Sequence, residues 1–289
     1  MNDPLLPPHV QANLNAILAS PSYVLAEQDV AFLARPELRP VRMQLELLKP
    51  EMAFREQGVR STIVLFGGTQ VVERPEAERR LAAARARLAD HPDDPAARRA
   101  VARAERILAK CRFYDEAREF ARLVSVACQK EGELADYVIV TGGGPGIMEA
   151  GNRGAFDAGA KSSGLNITLP AEQRPNPYIT PELCFQFHYF ALRKLHFLLR
   201  ARALVIFPGG FGTLDELTDA LTLRQTRRMQ AIPIVLYGRE YWQRAIDFQF
   251  LADEGVIADA DLDLITYAET PQEAWDAILR FHRESAATP

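Results

Sequence analysis

The chain has little of what would place it in a specialised class. Its three cysteines, Cys111, Cys128 and Cys184, are odd in number, widely spaced and include no Cys-x-x-Cys pair. Neither a disulfide framework nor a zinc site is therefore expected, and a reducing compartment is. No apolar run approaches the roughly 18 residues of a membrane span. The start, Met1-Asn-Asp-Pro-Leu-Leu-Pro-Pro8, has no basic segment leading into an apolar one, which points to a cytoplasmic location. There is no excess of positive charge either: the formal net charge is −4, which gives no general attraction to nucleic acid or to an anionic membrane. Two nucleotide-binding patterns are also missing. Gly-x-Gly-x-x-Gly started at Gly142 puts its last glycine on Ile147, and started at Gly144 it fails over Gly146-Ile-Met-Glu149. No acidic residue stands about twenty positions further on, over Ser162–Thr168. No Gly-Lys-Ser/Thr follows any glycine-rich turn, so a nicotinamide dehydrogenase and a Walker-type nucleotidase are both disfavoured.

What is present suits one large α/β domain over residues 1–289, with 48% apolar and 25% charged residues. Residues 1–60 show no strand. Their helical spacing, broken at Pro21, Pro36, Pro40 and Pro50, predicts a helical extension outside the sheet. Residues 73–112 are rich in Ala, Arg and Glu around Pro92-Asp-Asp-Pro95 and predict two solvated helices, an insertion. Apolar, branched runs predict strands at 61–66, 137–141, 164–169 (closed by Pro170), 203–207, 232–237 and about 264–267. Helices are expected over 114–127, 147–155, 186–201, from Thr213, over 239–252 and from Thr270-Pro271. Such alternation implies a doubly wound, mainly parallel sheet covered on both faces.

Three strands end in glycine: at Gly67-Gly68-Thr69, at Gly142-Gly143-Gly144-Pro145-Gly146, and at Pro208-Gly209-Gly210-Phe211-Gly212. In the second, Pro145 suits a first helical position. In the third, Thr213 and Glu216 have the spacing of a capping box, with Thr213 as N-cap. Strand, glycine turn and helix N-terminus in that order make an anion site, because unpaired N–H groups and the positive end of the helix dipole converge. Two such turns on parallel strands open onto one sheet edge, so a phosphate-bearing ligand between them is expected; the plainer alternative is that the glycines only permit tight connections. Glu216 reads equally as a cap or as a catalytic carboxylate. Glu149, in the first turn of the other helix, reads as a dipole partner or as a ligand for sugar hydroxyls. On the 186–201 wheel Phe187, Phe190, Ala191, Leu195, Phe197 and Leu198 share a broad apolar face that contains Lys194, whose amine must snorkel or pair. Arg193 falls on the polar side and reads as a solvated arginine unless another signal lifts it. His188 and His196 have no second ligand at i+4, so no metal is expected.

These residues carry a family resemblance. Pro208-Gly-Gly-Phe-Gly-Thr-Leu-Asp-Glu216 resembles the Pro-Gly-Gly-x-Gly-Thr-x-x-Glu signature of the Lonely Guy family, phosphoribohydrolases often labelled lysine decarboxylases. Phe190-Ala-Leu-Arg-Lys194 resembles the arginine–lysine element before that signature, and Gly142-Gly-Gly-Pro-Gly-Ile-Met-Glu149 its glycine-rich turn; together they cover about residues 61–240. The resemblance implies a Rossmann-like fold and hydrolysis of the N-glycosidic bond of AMP or N6-modified AMP to free base and ribose 5-phosphate. It implies no cofactor, catalysis by Arg193 and Glu216, and an oligomer of at least two chains. Substrate contacts are implied for Gly67, Gly68, Gly142, Gly143, Gly144, Pro145, Gly146, Met148, Glu149, Lys194, Pro208, Gly209, Gly210, Gly212 and Thr213. Where the family's element commonly begins Met-His this chain has Phe190-Ala191, which, with the extension and insertion, resembles the longer bacterial branch. The rival expectation is a non-catalytic carrier of a nucleotide or of the phosphate-bearing molybdenum cofactor on the same fold. A lysine decarboxylase is poorly supported, since nothing in the sequence marks a pyridoxal phosphate lysine.

Overall fold

The computed structural model of the chain describes residues 6–129, 136–169 and 174–287. Met1–Leu5 and Pro170, which figured in the sequence reading, lie outside them. The chain divides into two compact units, residues 1–49 and 50–289.

The first unit is helical, as expected. Helix α1 spans Pro8–Leu18, α2 Val30–Leu33, and α3 Arg39–Glu56 runs across the boundary at residue 49. Asp29 caps α2, accepting from the N–H of Phe32 at 2.9 Å. Pro50 was expected to interrupt its segment but lies inside α3, which continues for six residues beyond it.

The second unit is built on a seven-stranded, wholly parallel sheet: β1 Thr62–Phe66, β2 Val138–Thr141, β3 Ser162–Ile167, β4 Cys184–Phe187, β5 Ala201–Ile206, β6 Ile234–Tyr237 and β7 Ile265–Ala268. The order is β4-β3-β2-β1-β5-β6-β7. A parallel sheet with both faces covered wants runs of branched apolar residues rather than alternation, and β1, β2 and β6 are buried along their whole lengths. The helices after β1 are α4 Arg74–Asp90, α5 Pro95–Leu108 and α6 Cys111–Cys128; the others are α7 Ile147–Asp157, α8 Phe190–Leu199, α9 Phe211–Gln225, α10 Arg239–Ala245, α11 Phe248–Asp253 and α12 Pro271–Ala287. One core lies beneath α6, α7 and α12. There Tyr114, Ala117, Phe120, Ala121 and Val124 of α6 meet Ile63, Leu65, Val205 and Val235 from alternate strand positions. The helix predicted over 114–127 is present, and its buried stripe ends before Ala127, which is exposed. On the other face Phe197 of α8 packs edge-on against Phe66 at 4.9 Å. Helices α4 and α5 form the expected insertion, with Asp94 capping α5 and an Arg85–Glu105 pair of 3.0 Å between them.

Two expectations need correction. The predicted helix over 186–201 begins only at Phe190, because Cys184–Phe187 pairs with Gly164–Ile167 as an edge strand. Its burial alternates, Phe185 and Phe187 inward and Gln186 outward, which is a period of two rather than 3.6. The predicted helix over 239–252 is two helices, α10 and α11. Asp247 separates them by accepting the N–H of Phe250 at 3.0 Å, starting a new helix in place of continuing the old one.

Candidate active site

β1 lies between β2 and β5, so the three glycine-rich turns leave neighbouring strand ends at the centre of the sheet. They brace one another. The N–H of Gly68 donates to the carbonyl of Pro208 at 2.9 Å, and the N–H of Ile147 donates to the carbonyl of Gly68 at 3.3 Å. Gly146 has φ +74°, and a Cβ there would run into the backbone of Gly68 and Thr69. The Tyr241 hydroxyl donates to the carbonyl of Gly209 at 2.6 Å and ties the third turn to α10. Between the turns lies a cavity of about 400 Å³ lined by Gly67, Gly68, Thr69, Gly142, Met148, Asn166, Arg193, Phe211, Thr213, Asp215 and Glu216, among others.

The capping expectation at Thr213 is overturned. Helix α9 starts at Phe211 with Gly210 as its N-cap and no side-chain cap; Thr213 is the third helical residue, buried against Gly209. The N–H groups of Phe211, Gly212 and Thr213 therefore face the helix start with no acceptor among the described residues, the next bond being Leu214 to Gly210 at 3.0 Å. Glu216 is released from the capping role and stands in the second turn. Pro145 likewise lies outside α7, whose N-cap is Gly146, again without a side-chain cap.

Arg193 is not a solvated arginine. Its Nε donates to the carbonyl of Leu165 at 2.7 Å, its guanidinium stacks over Phe197 at 5.1 Å, and its Nη2 sits 2.6 Å from where a Cβ on Gly142 would be. Glycine at 142 is thus the seat of the arginine. The apolar face assigned to α8 is wrong as well: Leu192, His196 and Phe197 are buried, whereas Phe190 and Leu195 are exposed, Phe190 at the cavity wall. The amine of Lys194 pairs with Asp215 at 2.7 Å, and Lys194 is not a lining residue.

Glu216 hydrogen-bonds to no described residue. Burial pushes its carboxyl up to about 7, against the pull of Arg193 and then of Lys194. Burial in turn lowers the pKa of the Arg193 guanidinium, and the charge of Glu216 opposes that. The two groups are electrostatically linked in one partly dehydrated space. Glu149 does not line the cavity; its Oε1 accepts from the Tyr114 hydroxyl at 2.7 Å, so the ribose contact expected of it gains nothing from its position. Of the remaining expected contacts, Gly67, Gly68, Gly142, Met148, Gly210, Gly212 and Thr213 line the cavity, whereas Gly143, Gly144, Pro145, Gly146, Pro208 and Gly209 do not. The sequence reading missed Thr69, Asn166, Phe211 and Asp215 as lining residues. Phe211 could have been found: an aromatic residue between two glycines at a helix start has nothing to pack on, and it is 91% exposed. Among the described residues there is no group of three or more His, Cys, Asp or Glu able to hold a metal, and no helix long and apolar enough to cross a membrane.

Comparison with known proteins agrees with the motifs. Residues 148–278 match the family model described as possible lysine decarboxylase. The pyrimidine/purine nucleotide 5'-monophosphate nucleosidase of Escherichia coli K12 is 31% identical over 134 residues, 43% of this chain and 28% of that protein; counterparts from two other Escherichia coli strains match equally. The matched stretch is thus under a third of the length of those relatives. Among solved structures, the molybdenum cofactor binding protein of Rippkaea orientalis is 19% identical with a TM-score of 0.41, over 58% of this chain and 87% of that one. The Moco carrier protein of Chlamydomonas reinhardtii is 19% identical with a TM-score of 0.43, over 60% of this chain and 89% of that one. Through the matched residues 148–278 and the glycine, arginine and glutamate motifs beside and within them, the chain is similar to the Lonely Guy family, the group whose model carries the lysine decarboxylase description.

Proposed function

We propose that the second unit is a nucleoside 5'-monophosphate phosphoribohydrolase, taking AMP or N6-modified AMP and releasing free base and ribose 5-phosphate. One observation carries the reading: a half-buried carboxylate, Glu216, and a seated arginine, Arg193, share a cavity with an uncapped helix start. The 5'-phosphate would lie on the free N–H groups of Phe211, Gly212 and Thr213, where amide hydrogens and the helix dipole both favour negative charge. As the C1'–N bond breaks, the electron pair leaves with the base and positive charge builds on the ribose. The Glu216 carboxylate stabilises that charge and orients the water that attacks C1'. Arg193 offsets the negative charge of the departing base, which leaves neutral by taking up the proton that the attacking water gives up on bonding to C1'. The exposed faces of Phe190 and Phe211 at the cavity wall offer an aromatic ring a place to stack. The nucleosidase relatives fit this chemistry, while the coverage of their length leaves the substrate to experiment.

Incubating the protein with a panel of nucleoside monophosphates, and separating the products by chromatography, tests the reading. Free base is expected from AMP with wild-type protein, and a loss of at least a hundredfold with Glu216→Gln, in the range of removing one electrostatic transition-state contact. Tight nucleotide binding without base release would favour the carrier alternative; normal turnover by Glu216→Gln would remove Glu216 from the mechanism.

A further inference from the structure

Behind the second glycine-rich turn lies a polar lattice that the proposed chemistry does not use. Thr141, Asn152, Ser162, Ser163 and Asn176 are all buried. The Thr141 hydroxyl donates to Asn152 Oδ1 at 2.6 Å and accepts the N–H of Gly143 at 3.0 Å. Asn152 Nδ2 donates to Ser162 Oγ at 3.0 Å and to the carbonyl of Ser163 at 3.1 Å. Asn176 Nδ2 faces three acceptors: Asn152 Oδ1 at 2.9 Å, the carbonyl of Gly144 at 3.1 Å and that of Gly143 at 3.2 Å. Its own N–H also donates to Gly143, at 2.8 Å. The orientation of the Asn176 amide is fixed because its Oδ1 accepts the N–H of Tyr178 at 3.2 Å, leaving only donors to meet the turn.

We infer that Asn176, backed by Asn152, is a positioning residue that draws the carbonyls of Gly143 and Gly144 onto its amide and so holds in place the stretch whose Gly142 and Met148 form the cavity wall, an assignment that rests on the nucleotide reading above. A peptide unit is planar and trans, so fixing the carbonyl of Gly143 inward directs the N–H of Gly144 the opposite way. No described residue accepts from the N–H of Gly144, Gly146 or Met148. Glycine peptides flip readily, and a flipped unit would present an oxygen where an anion must approach. A lattice kept for stability alone could be replaced by apolar side chains of the same shape, whereas one that sets the direction of two carbonyls cannot.

Asn176→Asp is the test, since it keeps the shape and the backbone bond to Gly143 but removes the side-chain donors, leaving the carbonyl of Gly144 without its partner. Isothermal titration with ribose 5-phosphate at pH 8, below the melting temperature of each protein, should show Kd raised about tenfold, the equivalent of one lost charge-assisted contact. KM for the nucleoside monophosphate should rise by about the same factor with kcat within about threefold, because the turn holds the ligand alike in ground and transition states. A folded Asn176→Asp protein with wild-type Kd and KM overturns the inference and leaves the proposed function standing. Wild-type protein that binds neither ribose 5-phosphate nor AMP overturns both. Should Asn176→Asp not fold, Thr141→Val decides: it cuts the same lattice from the other side, and about threefold weaker binding is expected, with unchanged binding counting against the inference.

Discussion

At the scale of single residues, Glu216 is kept where water would ionise it more readily than the protein does. Its carboxyl titrates at about 7 in the folded state because burial outweighs the attraction of Arg193 and Lys194, against an ordinary value of 4.5. If the ionised form is the working one, kcat/KM for AMP should climb with pH and reach half its plateau at about 7. A rate that falls through that pH would make Glu216 an acid instead. Removing the positive charge nearest to it, as in Arg193→Met, should move the remaining activity's midpoint to higher pH. The same shift has a consequence for stability. Between the unfolded and folded pKa values the native state retains a proton that the unfolded chain has lost, so stability falls as pH rises through that window and the full penalty applies above it. Glu216→Gln should therefore be more stable than wild type at pH 8 by about 1–2 kcal/mol, after discounting for partial exposure, and the gap should close toward pH 4.5 in urea melts. Glu216 and Arg193 were legible in the sequence through the motifs that hold them. Asn166 and Asn176 were not, for an asparagine in a loop or at a strand end has no periodicity, and the partners Phe185, Gly143 and Asn152 lie 19 or more residues away on a strand, a turn and a helix.

The errors at the scale of elements have a common cause. Local spacing was read as the larger signal where tertiary contacts decide. Four residues of β4 gain their hydrogen bonds from β3, and only that pairing separates them from the helix that their spacing predicts. On α8 the helix start at Phe190 and the seat of Arg193 on Gly142 set the rotation, so the apolar wheel pointed the wrong way. At α9 a capping box was visible in the sequence and absent from the fold. Helix α9 starts without a side-chain cap, as do α1, α4, α6, α7, α8 and α10, whereas α2, α5 and α11 are each closed by an aspartate; at α9 the uncapped start lines the cavity. The turns themselves were legible, because glycine before a helix marks a backbone that must come close to something. What Gly146 approaches is the Gly68–Thr69 backbone, and this separates two costs. Gly146→Ala should destabilise the protein by about 3 kcal/mol or more, combining left-handed backbone strain with that overlap. Gly159→Ala, also at positive φ but with open space around it, should lose only about 1 kcal/mol. Equal losses in denaturant melts would mean that the turns are not braced against each other.

For the whole second unit, the strand order sets the position of the site before any side chain is considered. Crossing from β4 at one edge to β5 beside β1 leaves the crevice between outward-running connections at the middle of the sheet, where ligands of open α/β folds bind. Alternating apolar runs and helical stretches made this class of fold readable; the seven-strand order was not, because it depends on which edge each helix crosses. A ligand held between the turns of β1, β2 and β5 would link three central strands, so its binding energy should appear as stability of the entire sheet rather than of one loop. Ribose 5-phosphate at a hundred times its Kd contributes about 2.7 kcal/mol to the folded state. For a unit of this size that corresponds to roughly 5–10 °C in Tm. Differential scanning fluorimetry should show that rise with ribose 5-phosphate and with AMP, and little or none with adenine alone, since the proposed seat at the free amides of 211–213 takes a phosphate and a bare base has none. A shift produced by adenine and not by ribose 5-phosphate would instead put the anchor on the aromatic wall of Phe190 and Phe211, and the uncapped helix start would lose its role as the phosphate seat.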